Sequence, residues 1–180
     1  MAERSRWLAH ARGDVLEVGV GSGLNLPLLD AQRVASFVGL DPSLPLLARA
    51  AARTTDIPTT LIAAFAEALP FDAARFDTVL MTYALCSVDD PARALAEIQR
   101  VLRPGGTLVF VEHGAATSAR RLRWQRRVTP LWRVVSGNCH LDRDVPRLIE
   151  SARLAITELD ARDSDASFLS HAYSGVALRS

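Results

Sequence analysis

Three closely spaced glycines, a pair of carboxylates and two histidines are the residues of this chain whose types and spacing carry chemistry. The run Leu16-Glu17-Val18-Gly19-Val20-Gly21-Ser22-Gly23 sets Gly19, Gly21 and Gly23 between a short apolar run and a helical pattern. Glycine at such a turn permits positive φ and lets the backbone approach a ligand closely. A dinucleotide fingerprint needs G-x-G-x-x-G, and counting from Gly19 puts Leu24 at the third glycine, so that pattern fails. Asp41-Pro42 follows about twenty residues beyond the loop, where a carboxylate can accept both hydroxyls of a ribose. The competing role for Asp41 is an N-cap for the next helix, although Ser43 is placed to do that too.

His113 follows an apolar run, at the edge where ligands bind in open α/β sheets, and His140 lies further on. Either could take a proton from a reacting group. Each also has a plainer role, a loop hydrogen bond for His113 and a structural or substrate-wall position for His140. Cys86 and Cys139 are too few for a disulfide framework and lack the close pairing of a zinc site. They read as small buried apolar residues, and no metal is expected. Arg143 is more simply a solvated or salt-bridged arginine than an anion binder, and Tyr173 packs in the last strand.

The elements that must position these groups alternate along the chain. Val15–Val18, Ser36–Leu40, Thr59–Ala63, Phe76–Met81 and Thr107–Val111 read as five strands, the fourth apolar almost throughout. Helical patterns begin at Leu24–Leu29, run from Ser43 to Arg53 and start again after Asp90, an N-cap with Pro91 behind it. Leu95, Ile98, Val101 and Leu102 line one face of that helix, and Pro104-Gly105-Gly106 ends it. Further helices are expected over Ser118–Arg127 and Val145–Leu154, then an antiparallel pair over Ala155–Leu159 and Ser170–Leu178. Such alternation implies an α/β fold, a doubly wound, mostly parallel sheet with a C-terminal antiparallel pair.

Length and composition agree with a single domain over residues 1–180. The chain is 49% hydrophobic and 23% charged, a globular mix, and its net charge of +1 argues for neither nucleic acid nor membrane. No run is apolar enough to span a bilayer, the start lacks a signal-peptide core, and two cysteines suit a reducing cytoplasm. One local exception is Arg120–Arg133, where six arginines stand among Leu122, Trp124, Val128 and Trp132. A basic helix with tryptophans can lie on an anionic membrane. A surface helix packing its aromatic face on the domain is the favoured reading, because Pro130 interrupts it early. The oligomeric state is left open.

Four motifs in order give the chain a family likeness. The glycine loop preceded by Glu17, then Ala66–Phe71, Arg75–Leu85 and Arg100–His113, resembles the class I S-adenosylmethionine-dependent methyltransferases, in particular the methyltransferase type 11 domain. The likeness covers about Val15 to His113. It implies cofactor contacts for Glu17, Gly19, Gly21, Gly23, Asp41, Pro42, Ala66 and Glu67, with Tyr83 and Ala84 beside the methionine moiety. A second layer, Leu85–Val88, Glu112–Ala116, Trp124-Gln125, Pro130–Trp132 and Gly137–Asp144, is similar to the thiol S-methyltransferase branch. Two departures stand out. Phe65 occupies the place of an acid that often holds the adenine amino group, and only about a dozen residues precede the loop where the family has helices covering the site.

The resemblance implies methyl transfer from S-adenosylmethionine to a small-molecule acceptor, an alkyl thiol being one candidate. A lipid headgroup amine and a quinone carbon are the alternatives, and a non-catalytic nucleoside-binding domain is the alternative of another class. A thiol ordinarily ionises near pH ~8.5, so at neutral pH it needs a base or an electropositive pocket. His113 and His140 are the candidate catalytic residues.

Overall fold

Val79, Leu80 and Met81 are successive residues of one strand, and none has exposed surface. Since neighbouring strand residues point to opposite faces, both faces of that strand must be covered. The computed structural model describes residues 2–53, 55–163 and 170–180 and shows how. Its elements are α1 (Ala2–Leu8), β1 (Gly13–Val18), β2 (Val34–Leu40), α2 (Leu44–Ala51), β3 (Thr59–Ile62), β4 (Phe76–Thr82) and α3 (Pro91–Val101), followed by β5 (Leu102–His113), α4 (Ala119–Val135), α5 (Val145–Ser151), β6 (Leu154–Asp163) and β7 (His171–Arg179). The sheet has the order β3-β2-β1-β4-β5-β7-β6. β1 to β5 are parallel, while β7 runs antiparallel to both β5 and β6.

Alternate residues feed two cores. Leu16, Val79, Met81, Leu108 and Phe110 join Leu95, Ile98 and Val101 of α3 and Ile149 of α5 on one face. Val15, Leu80, Val109 and Val111 join Trp7 and Leu8 of α1 on the other. The fold is therefore the expected doubly wound α/β sheet with an antiparallel end.

Several boundaries differ from the sequence reading for identifiable reasons. The helix expected at Leu24–Leu29 is one 3₁₀ turn, Leu26–Leu28, with Pro27 inside its first turn. α3 is capped as expected, Asp90 accepting from the Arg93 N–H at 3.0 Å. It ends at Val101 rather than at Pro104–Gly106, because Leu102 already pairs with Phe76 and the next residues bulge out before Thr107 pairs with Thr78. α5 likewise stops at Ser151, and Leu154 opens β6.

α4 runs through Pro130, contrary to the expected interruption. Proline removes one N–H, and the carbonyl left over belongs to Arg126, an exposed residue that water can serve. Its two tryptophans differ: Trp124 is turned out, while Trp132 reaches the buried Cys139 thiol and so packs in part on the domain. Gln125 and Thr129 form the buried face, while Trp124, Leu131 and Val134 are 47%, 72% and 81% exposed. Among the described residues, no helix is long and apolar enough to cross a membrane.

Candidate active site

β1, β2 and β4 all end at one edge of the sheet, and their carboxyl ends enclose a cavity of about 470 Å³. Ligands in open α/β sheets bind at this edge. Glu17, Gly19 and Gly21 reach the cavity from the end of β1, Asp41 and Pro42 from the end of β2. Ala66 and Glu67 come from the turn after β3, Tyr83 and Ala84 from the end of β4. Gly23 is the exception. At φ +72° it closes the loop, and a Cβ there would meet Ala50, Arg53 and Leu26 at 3.1 Å, so it is a turn residue outside the cavity.

The loop is tied to the acid twenty residues on. Asp41 is buried, its Oδ2 accepts the Gly21 N–H at 2.9 Å, and its Oδ1 accepts the Ser43 N–H at 2.8 Å. Ser43 is the N-cap by position, yet its side chain makes no capping bond. An ionised carboxylate offers about four lone-pair sites. Two remain for a ligand on the cavity wall. Gly21 itself, at φ +52°, would carry a Cβ into open space.

Glu17 is fully buried beneath the loop. Its Oε1 accepts from Asn25 Nδ2 at 2.7 Å, and the same Nδ2 reaches Thr82 Oγ1 at 2.9 Å. Removal from water pushes the Glu17 carboxyl up to about 8, despite that amide. Glu17 Oε2 and Asn25 Oδ1 have no partner among the described residues, and both residues line the cavity. Buried acceptors left open beside a cavity fit a ligand that brings donors. The ammonium of a methionyl group is such a donor, so the residues present suit S-adenosylmethionine.

Glu67 does something the motif did not disclose. Its Oε1 accepts the N–H groups of Asp89 and Asp90 at 3.0 and 3.2 Å, fixing the entrance to α3. Phe65, 65% exposed, and Leu24, 50% exposed, put apolar surface at the cavity mouth. The site is not bare on its N-terminal side. Arg4 of α1 lines the cavity with its guanidinium 5.2 Å from the Tyr83 ring.

Tyr83 is a non-glycine residue at φ +56°, a conformation that costs a bulky side chain about 1–3 kcal/mol. Two residues of β5, Val111 and Glu112, hold the turn. The Tyr83 N–H donates to the Val111 carbonyl at 2.8 Å. Glu112, with no exposed surface, accepts Ala84 and Leu85 N–H groups on Oε1 at 2.8 and 3.0 Å and Cys86 N–H on Oε2 at 3.2 Å. Burial raises its carboxyl well above the usual range. Arg143 donates to the carbonyls of Leu85 and Val88, so it braces this turn from the far side instead of standing solvated or in a salt bridge. Tyr173 packs in β7 as expected and donates its hydroxyl to the Ala115 carbonyl at 2.8 Å.

Neither candidate histidine lines the cavity. The His113 ring packs 4.7 Å from the Tyr83 ring, immediately behind the wall, with Nδ1 3.9 Å from Cys139 Sγ. The His140 N–H donates to the Cys86 carbonyl at 2.7 Å, and burial holds its imidazole below the usual value. The cysteines are buried as expected, but they are not apart. Cys86, His113 and Cys139 present ligand atoms all within 4.8 Å of one another. Contact between the thiols, with burial, pushes Cys86 up to about 12, and that contact brings Cys139 down to about 7. No spacing in the sequence announces this cluster; its members lie 26 to 53 positions apart.

Known proteins resemble this chain in sequence and in fold. Residues 16–110 match the family model described as a methyltransferase domain. The thiol S-methyltransferase TMT1B of Rattus norvegicus is 33% identical over 150 residues, 81% of this chain and 62% of its own length. A phosphatidylethanolamine N-methyltransferase of Cereibacter sphaeroides is 40% identical over 119 residues, 62% of this chain and 58% of its own. The chain thus spans about three fifths of these relatives. An S-adenosylmethionine-dependent methyltransferase structure from Mesorhizobium loti superposes with TM-score 0.74 at 20% identity, covering 99% of this chain and 98% of the other, which shows a shared fold. Over more than half its length, therefore, the chain belongs to the methyltransferase domain family, and its fold is that of the class I S-adenosylmethionine-dependent methyltransferases.

Proposed function

We propose that this chain transfers a methyl group from S-adenosylmethionine to a small apolar acceptor, with an alkyl thiol as the favoured acceptor. The observation that carries the cofactor assignment is the cavity at the ends of β1, β2 and β4, with Asp41 on one wall and the open acceptors of Glu17 and Asn25 on another. S-adenosylmethionine supplies a methyl group on a sulfonium, ready for in-line displacement. Asp41 takes the ribose hydroxyls, Glu17 and Asn25 take the ammonium, and Pro42, Ala66, Tyr83 and Ala84 fill the space between. Alignment and exclusion of water are then the protein's main tasks. Leu24 and Phe65 at the mouth favour an apolar acceptor over a hydrated one.

The thiol preference draws support from the similarity to the rat thiol S-methyltransferase. Of the two candidate bases, His113 suits the role better, because its ring backs directly on Tyr83. A second reading, an amine on a lipid headgroup, is favoured by the similarity to the phosphatidylethanolamine enzyme and by the arginines of α4. Peripheral contact with an anionic membrane through the exposed residues of α4 belongs to that reading, and vesicle flotation tests it.

The experiment is a single-turnover assay with labelled S-adenosylmethionine and a panel of thiols, amines and quinols. Label on a thiol supports the first reading, and label on an amine supports the second. Cofactor binding without turnover on any acceptor makes the chain a nucleoside-binding domain instead.

A further inference from the structure

Behind the Tyr83 wall lies a group of side chains that cofactor binding does not use. Cys86 stands on the turn after β4, His113 at the end of β5, and Cys139 on the segment between α4 and α5. Parallel pairing of β4 with β5, in the register Thr82↔Val111, brings the first two side by side. The third is carried in by backbone contacts: the His140 N–H bonds the Cys86 carbonyl at 2.7 Å, and Asn138 Nδ2 bonds the Ser87 carbonyl at 2.9 Å. Both sulfurs and one imidazole nitrogen then lie within 4.8 Å of one another, with Cys139 Sγ to His113 Nδ1 at 3.9 Å.

From these contacts we propose that Cys86, Cys139 and His113 form a three-ligand zinc site whose fourth position accepts the sulfur of the substrate thiol, an inference that rests on the thiol reading above. Zinc bonds thiolate sulfur at about 2.3 Å and imidazole nitrogen at about 2.0–2.1 Å, so tetrahedral ligand atoms stand about 3.4–3.8 Å apart. The widest separation in the cluster, 4.8 Å, needs a contraction of about 1.0–1.4 Å to reach that geometry. Two thiolates and one imidazole make a soft donor set that selects zinc over magnesium or calcium. Three protein ligands with one open position is the pattern of a catalytic zinc, whereas structural sites close all four.

Charge and position agree. Two thiolates neutralise the dication, and the half-buried Arg143, bonded to Leu85 and Val88 on either side of Cys86, holds the turn that carries one ligand. The cluster also abuts the cavity. Ser87 follows Cys86, Ala84 and Gly137 stand two positions before Cys86 and Cys139, and Tyr83 packs on His113, and all four line the cavity.

The chemistry balances. On binding, the acceptor R–SH gives its proton to solvent and its sulfur to zinc. That sulfur then attacks the methyl carbon, forming the new C–S bond as the sulfonium C–S bond breaks and its electron pair returns to S-adenosylhomocysteine. The thioether, a poor zinc ligand, leaves. His113 then acts as a ligand, and the metal takes over acidification of the thiol.

The test is zinc content after dialysis of the reduced chain, together with the spectrum of the cobalt(II)-loaded protein. The proposal expects one zinc per chain, a cobalt–thiolate charge-transfer band, and a change in the visible cobalt bands when an alkyl thiol is added. In Cys86→Ser/Cys139→Ser, zinc falls to none, and in His113→Ala its affinity falls at least tenfold. A reduced wild-type chain that holds no zinc overturns the site, whether or not Cys86 and Cys139 join as a disulfide in air. So does zinc that persists in the double variant. Thiol methylation by zinc-free protein sinks this inference and leaves the thiol reading standing. Zinc and S-adenosylmethionine both bound, with methyl transfer to amines alone, sinks the thiol reading and the open-position role together while the metal ligands stand.

Discussion

The Gly21 amide donates to the Asp41 carboxylate at 2.9 Å, which locks the glycine loop of β1 to the end of the neighbouring strand β2. The same carboxylate holds the Ser43 N–H at the start of α2. One side chain thus sets the loop, orients the helix and keeps lone pairs free toward the cavity.

Asp41→Ala should lower S-adenosylmethionine affinity by roughly tenfold to a hundredfold, since a hydrogen bond involving a charged group contributes about 1.5–3 kcal/mol. Asp41→Asn keeps one acceptor and should lose less. Titration calorimetry measures both. Affinity unchanged in the alanine variant removes Asp41 from the site.

Two glycines of the loop should respond differently to alanine. At Gly19, φ is +76° and the added Cβ would lie 2.5 Å from the Ala84 Cβ, so strain and overlap combine. Gly21→Ala meets no neighbour, so its cost is the positive φ alone, about 1–2 kcal/mol. Thermal melts should show Gly19→Ala as the less stable variant. Cofactor titration should show Gly21→Ala folded but weak in binding. Equal melting temperatures for the two would contradict this view of the loop.

Glu17 predicts a pH dependence. Its carboxyl is raised from 4.5 to about 8 by burial, so the folded chain holds a proton that the unfolded chain releases. The unfolded state therefore binds fewer protons between about pH 4.5 and 8, and stability without cofactor falls as pH rises through that window. Glu17→Gln should flatten the fall. If the cofactor ammonium pairs with Glu17, binding favours the ionised form and expels the proton. Affinity then rises with pH, by up to about tenfold per unit, and levels off near pH 8. Calorimetry in buffers of different ionisation enthalpy reads that proton directly; no release near pH 7 would place the ammonium elsewhere.

Glu112 is a positioning residue, holding the N–H groups of Ala84, Leu85 and Cys86. Glu112→Leu strands those donors and should cost at least about 1–3 kcal/mol. Glu112→Gln keeps an acceptor for Ala84 and Leu85 and should cost less, although its amide faces the Cys86 N–H. A leucine variant as stable as the parent, by denaturant unfolding, would mean that the turn finds other partners.

What could be read from the sequence was local or periodic. Continuous apolar runs such as Phe76–Met81 gave parallel strands, and the Asp90-Pro91 cap gave the start of α3. The glycine loop and Asp41 were legible because strand order fixes their approach. Gly23 misled because a glycine that closes a turn and one that admits a ligand look alike in sequence. α4 misled because a proline costs a helix little where the orphaned carbonyl is exposed. The cluster of Cys86, His113 and Cys139 stayed hidden because it depends on the β4–β5 register and on the path of the segment after α4. Glu112 was visible only as part of a motif. Its work depends on three backbone groups that no residue type reveals.

The central claim is that the crevice at Gly19–Gly21 and Asp41 receives S-adenosylmethionine. A crystal structure of the chain grown with S-adenosylhomocysteine tests it most directly. The ribose hydroxyls should lie within hydrogen-bond distance of the Asp41 carboxylate, with the amino group at Glu17 and Asn25. Adenosine bound elsewhere, or a crevice that stays closed at saturating ligand, would contradict the account.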